Sequence, residues 1–264
     1  MPPTIPKTPS LTLTPEPLTR DSFAPFGTAI IPPLPRTVTT PTPSEHPNHP
    51  LVPEPVTANQ LSALKYSPIS PLEDNYSQCR SKQPASARMS MFSCFPRSLR
   101  PVSSRNRIDE DEIGNKSEKG RVFDVTILER HPYTTQTFSP LGLDSDCPPD
   151  NNESQKYTYY LVIVAPTLSG QTASAVSDSG EKVSVSDPPD LTRVRAFAAA
   201  GDMAVTYGAG TWHAPMVVVG SRKVDFLVVQ FANGVAEEDC QEVGFKEGIV
   251  VDLSKGGAKG RSKL

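Results

Sequence analysis

Gly201-Asp202-Met203-Ala204-Val205-Thr206-Tyr207-Gly208-Ala209-Gly210-Thr211-Trp212-His213-Ala214-Pro215 is the stretch on which the reading of the fold turns. An apolar run with β-branched residues enters a glycine turn. The chain then re-emerges carrying its only tryptophan beside one of its four histidines. Gly208 and Gly210 offer positions where a positive φ costs nothing. Neighbours on a strand face opposite ways, so Trp212 and His213 are expected on two faces of one sheet. One would pack in a core or pocket wall while the other lines a cavity. A plain hairpin turn with a structural histidine shares this local pattern, so the rest of the chain has to decide.

The β pattern continues on both sides. Downstream, Met216 to Val219 and Val224 to Phe231 read as strands joined in a hairpin by Gly220-Ser221-Arg222-Lys223, with Ile249 to Leu253 as a last strand. Upstream, Leu11 to Leu18 reads as an edge strand, and Asp21 to Gly27 as one capped helical turn closed by Gly27. Thr28 to Ile31, Ala87 to Phe95, Arg121 to Leu128, Tyr157 to Ala165 and Arg195 to Ala198 supply further strands. Pro32 to Pro55 is Pro/Thr-rich; the spacing of His46 and His49 within it suits a solvated pair better than a metal site. Arg100 to Gly120, Asp144 to Lys156 and Thr167 to Asp187 read as polar or low-complexity insertions. Nine or ten short strands with almost no helical periodicity predict an all-β, cupin-like barrel or sandwich with long Pro-rich and polar loop insertions. Residues 1–10 would form a flexible N-terminus, 11–253 a single domain and 254–264 a flexible tail.

Composition narrows the function. A net charge of -3 gives no electrostatic footprint for nucleic acid or an anionic membrane. No apolar run approaches a membrane span, and the first residues lack the apolar core of a secretory signal. Cys79, Cys94, Cys147 and Cys240 lie far apart without a Cys-x-x-Cys pair, which fits a reducing compartment. The terminal Ser262-Lys263-Leu264 matches a peroxisomal import signal on a Gly-rich basic tail, with the cytoplasm as the alternative address. The 29 prolines, against a usual frequency of about 5%, crowd the first half and shrink the effective core.

The spacing Gly201, six residues, Gly208-x-Gly210-x-x-His213 resembles the second motif of the cupin barrels, whose histidine projects inward. Cupins usually add two more histidines and a glutamate for a metal. Here the earlier region offers His131 with Gln136 five residues on, so a three-histidine set is incomplete. His131, Gln136 and His213 would make at most a weak divalent site, and no cofactor is required.

A closer resemblance emerges from several segments read together. Glu129-Arg130-His131-Pro132, Thr135-Gln136-x-Phe138-x-Pro140, Tyr160 to Ala165, Pro189-Asp190-Leu191, Arg195-Ala196-Phe197, Gly210 to Met216 and Val224-Asp225-Phe226-Leu227 occur in the order seen in ureidoglycolate lyases. The chain resembles fungal members of that family over most of Leu11 to Val251, outside the insertions. Asn59-Gln60 with Lys65-Tyr66 resembles the family's Asn-rich turn, although Leu61 stands where a glycine is expected. Gly208-Ala209 replaces a polar or basic pair of bacterial relatives, so any role of that pair does not transfer.

The resemblance implies release of urea and glyoxylate from ureidoglycolate. Breaking that C–N bond needs a base for the hydroxyl proton, an acid for the departing nitrogen and donors for the carboxylate. His131 and His213 suit the acid–base roles, in either order. Lys65, Asn59 and Gln60 would hold the carboxylate and ureido group, with Gln136, Thr135 and Gln230 as further partners. Trp212, Tyr66 and Phe138 would wall off water. Asp225 either orients a histidine or joins a surface ion pair. No nucleophile stands beside a base, which favours elimination without a covalent intermediate. A homodimer is expected from exposed apolar strands such as Met216 to Val219. Another cupin-type enzyme for a small acid and a non-catalytic acid-binding cupin remain the alternatives.

Overall fold

Tyr159–Ala165 is apolar or aromatic at every position, as a strand covered on both faces must be, and the molecule is layered about it. The computed structural model describes residues 1–42, 49–102, 121–143 and 157–254. Along the chain run β1 (Thr4–Ile5), β2 (Leu11–Leu13), β3 (Glu16–Pro17), β4 (Gly27–Ile30), β5 (Val56–Ala58), β6 (Ala63–Lys65) and β7 (Ser86–Cys94). Then come β8 (Arg100–Pro101), β9 (Arg121–Asp124), β10 (Ile127–Arg130), β11 (Gln136–Leu141), β12 (Tyr159–Ala165), β13 (Thr172–Val176) and β14 (Lys182–Ser186). Last are β15 (Arg195–Ala199), β16 (Ala204–Tyr207), β17 (Trp212–His213), β18 (Val217–Val219), β19 (Val224–Ala232), β20 (Gln241–Phe245) and β21 (Ile249–Asp252). Two single-turn α-helices, α1 (Arg20–Phe23) and α2 (Ala236–Asp239), and a 3-10 turn at Tyr76–Gln78 complete the described elements, and no helix among the described residues is long and apolar enough to cross a membrane.

A ten-stranded sheet runs β14-β13-β1-β20-β10-β17-β12-β15-β3, with β18 also on β12. A five-stranded sheet runs β4-β16-β11-β19-β7, and a four-stranded one β2-β21-β9-β8. Alternate residues of β12 enter different cores. Leu161, Ile163 and Ala165 pack with Trp212, Leu128, Val243, Ile249 and Val251 on the side of the four-stranded sheet. Tyr160, Val162 and Val164 pack with Phe23, Phe138, Val205, Tyr207 and Phe226 on the side of the five-stranded sheet. The described sheets therefore stack as an open sandwich rather than closing into a barrel.

Several sequence expectations change in the structure for identifiable reasons. Pro15 splits Leu11 to Leu18 into β2, parallel to β21, and β3, parallel to β15. Arg121 to Leu128 likewise divides between β9 and β10, which belong to different sheets. The Gly220 turn is not a hairpin: it carries the chain from β18 in the large sheet to β19 in the five-stranded one. Thr167 to Asp187 is not a loop throughout but holds the β13–β14 hairpin, whose alternation of small apolar residues with Ser and Thr is shallow enough to pass for low complexity. Gly27 opens β4 instead of closing α1. Its φ of +145° and a Cβ that would sit 2.0 Å from the Thr206 carbonyl oxygen exclude any other residue. Of the two turn glycines only Gly210 takes a positive φ, +79°. Val217–Val219 is buried, so the exposed apolar strand is β7, with Met89 72% and Met91 55% exposed. His49 lies 3.3 Å from the Asp21 carboxylate. His46, Cys147, the centres of the two charged insertions and Ser262-Lys263-Leu264 fall outside the described residues.

Candidate active site

The extended chain puts Trp212 and His213 on opposite faces of β17, as the sequence predicts. Trp212 is fully buried in the first core, where its Nε1 donates to the Asp187 carbonyl at 3.0 Å and the Arg130 guanidinium stands 5.0 Å over its ring. His213 enters the cleft between the ten- and five-stranded sheets. Its ring stacks on Tyr207 at 3.9 Å between centroids and 10° between planes. Across the ladder His213 pairs with Glu129 of β10, and His131 follows two residues later on the same face. One carboxylate oxygen of Glu129 lies 3.5 Å from His213 Nε2. One ligating atom from each of Glu129, His131 and His213 falls within 4.8 Å of the other two.

The two rings are held by the same device. His131 Nδ1 donates to the Asp239 carbonyl at 2.5 Å, and His213 Nδ1 to the Thr211 carbonyl at 3.0 Å. Each Nε2 therefore points into the cleft, buried and without a hydrogen-bond partner. Burial, reinforced by the neighbouring His213, pushes the His131 pKa below the ordinary histidine value, so its Nε2 lone pair is free at neutral pH. Burial alone would raise the Glu129 carboxyl. The nearby His213, with His131 and Arg97, outweighs that and holds it ionised.

The five-stranded sheet supplies the opposite wall. Gln136 pairs in register with Tyr207 on one side and Gln230 on the other, so all three share one face. Gln136 Nε2 donates to Gln230 Oε1, which leaves Gln136 Oε1 buried without a partner. Phe138, two residues on, forms the floor in edge-to-face contact with Tyr207 and Phe226.

His131, His213, Gln136, Gln230 and Phe138 are thus brought together. The other sequence candidates are not. Trp212 occupies the opposite core. Thr135 Oγ1 accepts from the Glu73 amide at 3.0 Å beneath the 73–76 segment. Asp225 points outward to Ser93 and Lys223, as the ion-pair alternative has it. Asn59, Gln60 and Lys65 stand exposed on the β5–β6 hairpin, which pairs with no other described strand. Tyr66 borders a cavity of about 350 Å³ with Ile30, Ser139 and Ala204, on the far side of the five-stranded sheet from the histidines. Sequence reasoning passed over Glu129 and Tyr207. For Glu129 the signal was there: Glu-x-His on a strand places both side chains on one face.

The described sheets form a cupin-like sandwich, and in its cleft two histidines and a carboxylate converge closely enough to hold a divalent cation. The chain belongs to the ureidoglycolate lyase family, which it matches over residues 10–252. It is similar to the ureidoglycolate lyase of Schizosaccharomyces pombe, 32% identical over 186 residues, covering 70% of this chain and 75% of the relative. That of Saccharomyces cerevisiae is 33% identical over 197 residues, covering 73% and 80%. A bacterial ureidoglycolate lyase, from Burkholderia mallei, is 34% identical over a shorter 107 residues, or 40% and 43%.

A buried network fixes the carbonyl that holds His131. Glu238 accepts from Ser81 Oγ at 2.6 Å, the Ser81 amide at 2.8 Å and Asn233 Nδ2 at 2.8 Å, while Asp239 accepts from Tyr76 Oη at 2.7 Å. The Ser81 hydroxyl, with Asn233, holds the Glu238 carboxyl down at about 2. A depressed folded pKa contributes stability that is complete above the unfolded value near 4.3 and lost as pH falls through the folded one. Glu238→Gln is therefore expected to unfold at lower urea than the parent at pH 7, with the gap narrowing as pH falls from about 4.3 toward 2. A gap of the same size at every pH would show that the carboxylate contributes nothing through its charge.

Proposed function

We propose that this protein cleaves the C–N bond of ureidoglycolate to give glyoxylate and urea. The observation that carries the reading is the convergence of unpartnered acceptor atoms in one buried cleft: His131 Nε2, His213 Nε2 and Gln136 Oε1, beside the Glu129 carboxylate. Buried acceptors call for donors, and a carbinolamide brings a hydroxyl and ureido N–H groups. Membership of the family supports the same activity.

In this reading His131, kept neutral by burial, takes the hydroxyl proton at Nε2. The alkoxide electrons form the aldehyde carbonyl as the C–N bond breaks, and the bonding pair leaves on the ureido nitrogen. His131 then gives that proton to the same nitrogen, while the ureido N–H donates between His213 Nε2 and the Glu129 carboxylate, 3.5 Å apart. One proton is taken and one given, so none is consumed. Tyr207 restrains the His213 ring by stacking, and its burial keeps the phenol un-ionised. Gln136 Oε1 accepts from the ureido NH₂. Both transfers lie within reach of side chains, so the reading requires no cofactor. Glu129, His131 and His213 would nevertheless hold a divalent cation, whose contribution would be to polarise the substrate hydroxyl.

As partner we propose a second copy of the chain, seated on the outer face of the five-stranded sheet. There Met89 and Met91 of the edge strand stand beside Val229 and Leu227, near exposed Leu141. As location we propose the peroxisome, a reading that rests on Ser262-Lys263-Leu264 alone.

Three measurements follow. Glyoxylate release from racemic ureidoglycolate by chelator-treated protein, corrected for spontaneous decay, is expected to exceed the blank. His131→Ala should lower that excess by about 10²-fold or more; no excess with or without added divalent ion would overturn the activity. In sedimentation the parent should run as a dimer and Met91→Asp as a folded monomer, whereas a monomeric parent at micromolar concentration would overturn the interface. A fluorescent protein fused ahead of the chain should concentrate in peroxisomes and become cytosolic when the tripeptide is deleted; an unchanged distribution would refute the signal.

A further inference from the structure

The cleft that would take the carbinolamide is rich in acceptors and poor in cations. Glu129, His131 Nε2, His213 Nε2 and Gln136 Oε1 all present electron pairs. A hydroxyl or a ureido N–H fits among them, but a carboxylate does not, because it would meet the Glu129 carboxylate with little water to screen the repulsion. The substrate's own carboxylate therefore has to lie toward the edge of the cleft, and a cation has to meet it there.

The ladder register supplies that cation. Gln136 of β11 pairs with Gln230 of β19, and Gln230 pairs with Arg88 of β7. The pairing of β19 with β7 is continuous from Val224–Cys94 to Ala232–Ser86, so no bulge reverses the faces. Phe92 stacks edge-on against Phe138, and Cys94 packs against the same core. Arg88, an even number of residues before both, thus faces the same side as Gln230 and Gln136. It closes the row Tyr207–Gln136–Gln230–Arg88 at the open edge of the sheet. Two strand spacings separate it from Gln136, about 10 Å, a span an arginine side chain covers in large part. Arg88 is exposed and makes no hydrogen bond or ion pair with another described residue. Gln230 spends its Oε1 on Gln136, so its own amide N–H groups remain to be directed at the same place.

We infer that Arg88 and the Gln230 amide form the carboxylate subsite. They orient the substrate with its ureido group at Gln136 and its carboxylate at the sheet edge. This assignment rests on the reading of the cleft as a ureidoglycolate lyase site. It replaces Lys65, the cation expected from the sequence, which stands on the separate β5–β6 hairpin. Arg97, the other cation near the cleft, acts on Glu129 instead, helping to hold that carboxyl ionised.

The test uses the full chain, chelator-treated, with three ligands. Arg88→Gln should raise KM for ureidoglycolate and the Kd for glyoxylate together, by about ten- to a hundredfold, the range of a charge-assisted hydrogen-bonded pair. Arg88→Lys should recover part of that loss. With hydroxymethylurea, which has the same scissile bond and no carboxylate, parent and Arg88→Gln should turn over alike. Arg97→Gln should shift the pH profile and leave glyoxylate binding within about twofold. Unchanged glyoxylate affinity in a folded Arg88→Gln would overturn the proposal, as would a loss seen only in Arg97→Gln or Lys65→Gln. If the parent released no glyoxylate, the lyase reading would fail; the glyoxylate titration of parent against Arg88→Gln would still decide the carboxylate subsite.

Discussion

A strand of two residues, Trp212 and His213, is clamped between β10 and β12, and the alternation of an extended chain sends one side chain each way. The indole fills the core beneath the large sheet, and the imidazole enters the cleft above it. Because both hang from the same short piece of backbone, the ring that would meet the substrate is only as well placed as the tryptophan is packed. Truncating a buried Trp typically costs about 3–5 kcal/mol, a large part of the 5–15 kcal/mol that holds a domain folded. The glycine turn ahead of this strand adds two ties. The Gly210 amide donates to the His131 carbonyl at 2.8 Å, and the Gly208 amide to the Phe26 carbonyl at 2.9 Å. The turn that leads into His213 is thereby tied to the His131 backbone by one hydrogen bond, independently of the rings.

The cleft electrostatics follow from that arrangement. A carboxylate and two imidazoles share a space partly closed to water, where each unpaired lone pair is costly. Backbone carbonyls take the Nδ1 protons, so the protein leaves both Nε2 atoms directed at one point. Glu129 remains ionised because His213 offsets the desolvation that would otherwise neutralise it. The arrangement is polarised: acceptors gather at the depth of the cleft, while the arginines stand at its edge.

Much of this was readable in the sequence, and the failures have physical causes. Alternation along Ala87 to Phe95 and the β-prone run of Tyr157 to Ala165 marked the strands that flank the cleft. The His131, Gln136 and His213 cluster could be assembled because each lies on or next to a strand of strong pattern. What could not be read was which sheet a strand joins. Val217–Val219 and Val224–Ala232 look like partners of one hairpin, yet the positive φ of Gly220, +128°, turns the chain between layers. Sheet membership depends on pairings remote in sequence, and it also decides which side of a sheet a neighbouring loop covers. For that reason Lys65 and Tyr66, polar and close to a strand, looked like site residues although they lie apart from the histidines. Arg88 was hidden for the opposite reason: only its register against Gln230 gives it a direction.

The single indole of the chain has a consequence of its own. Trp212 is shielded from solvent, carries a guanidinium over its face and is separated from the cleft by the thickness of one sheet. Its fluorescence is therefore a blue-shifted signal set by the packing under the large sheet and blind to direct ligand contact. Emission and turnover can be followed in one sample as separate reports, the first on whether the platform is intact and the second on whether the cleft is at work.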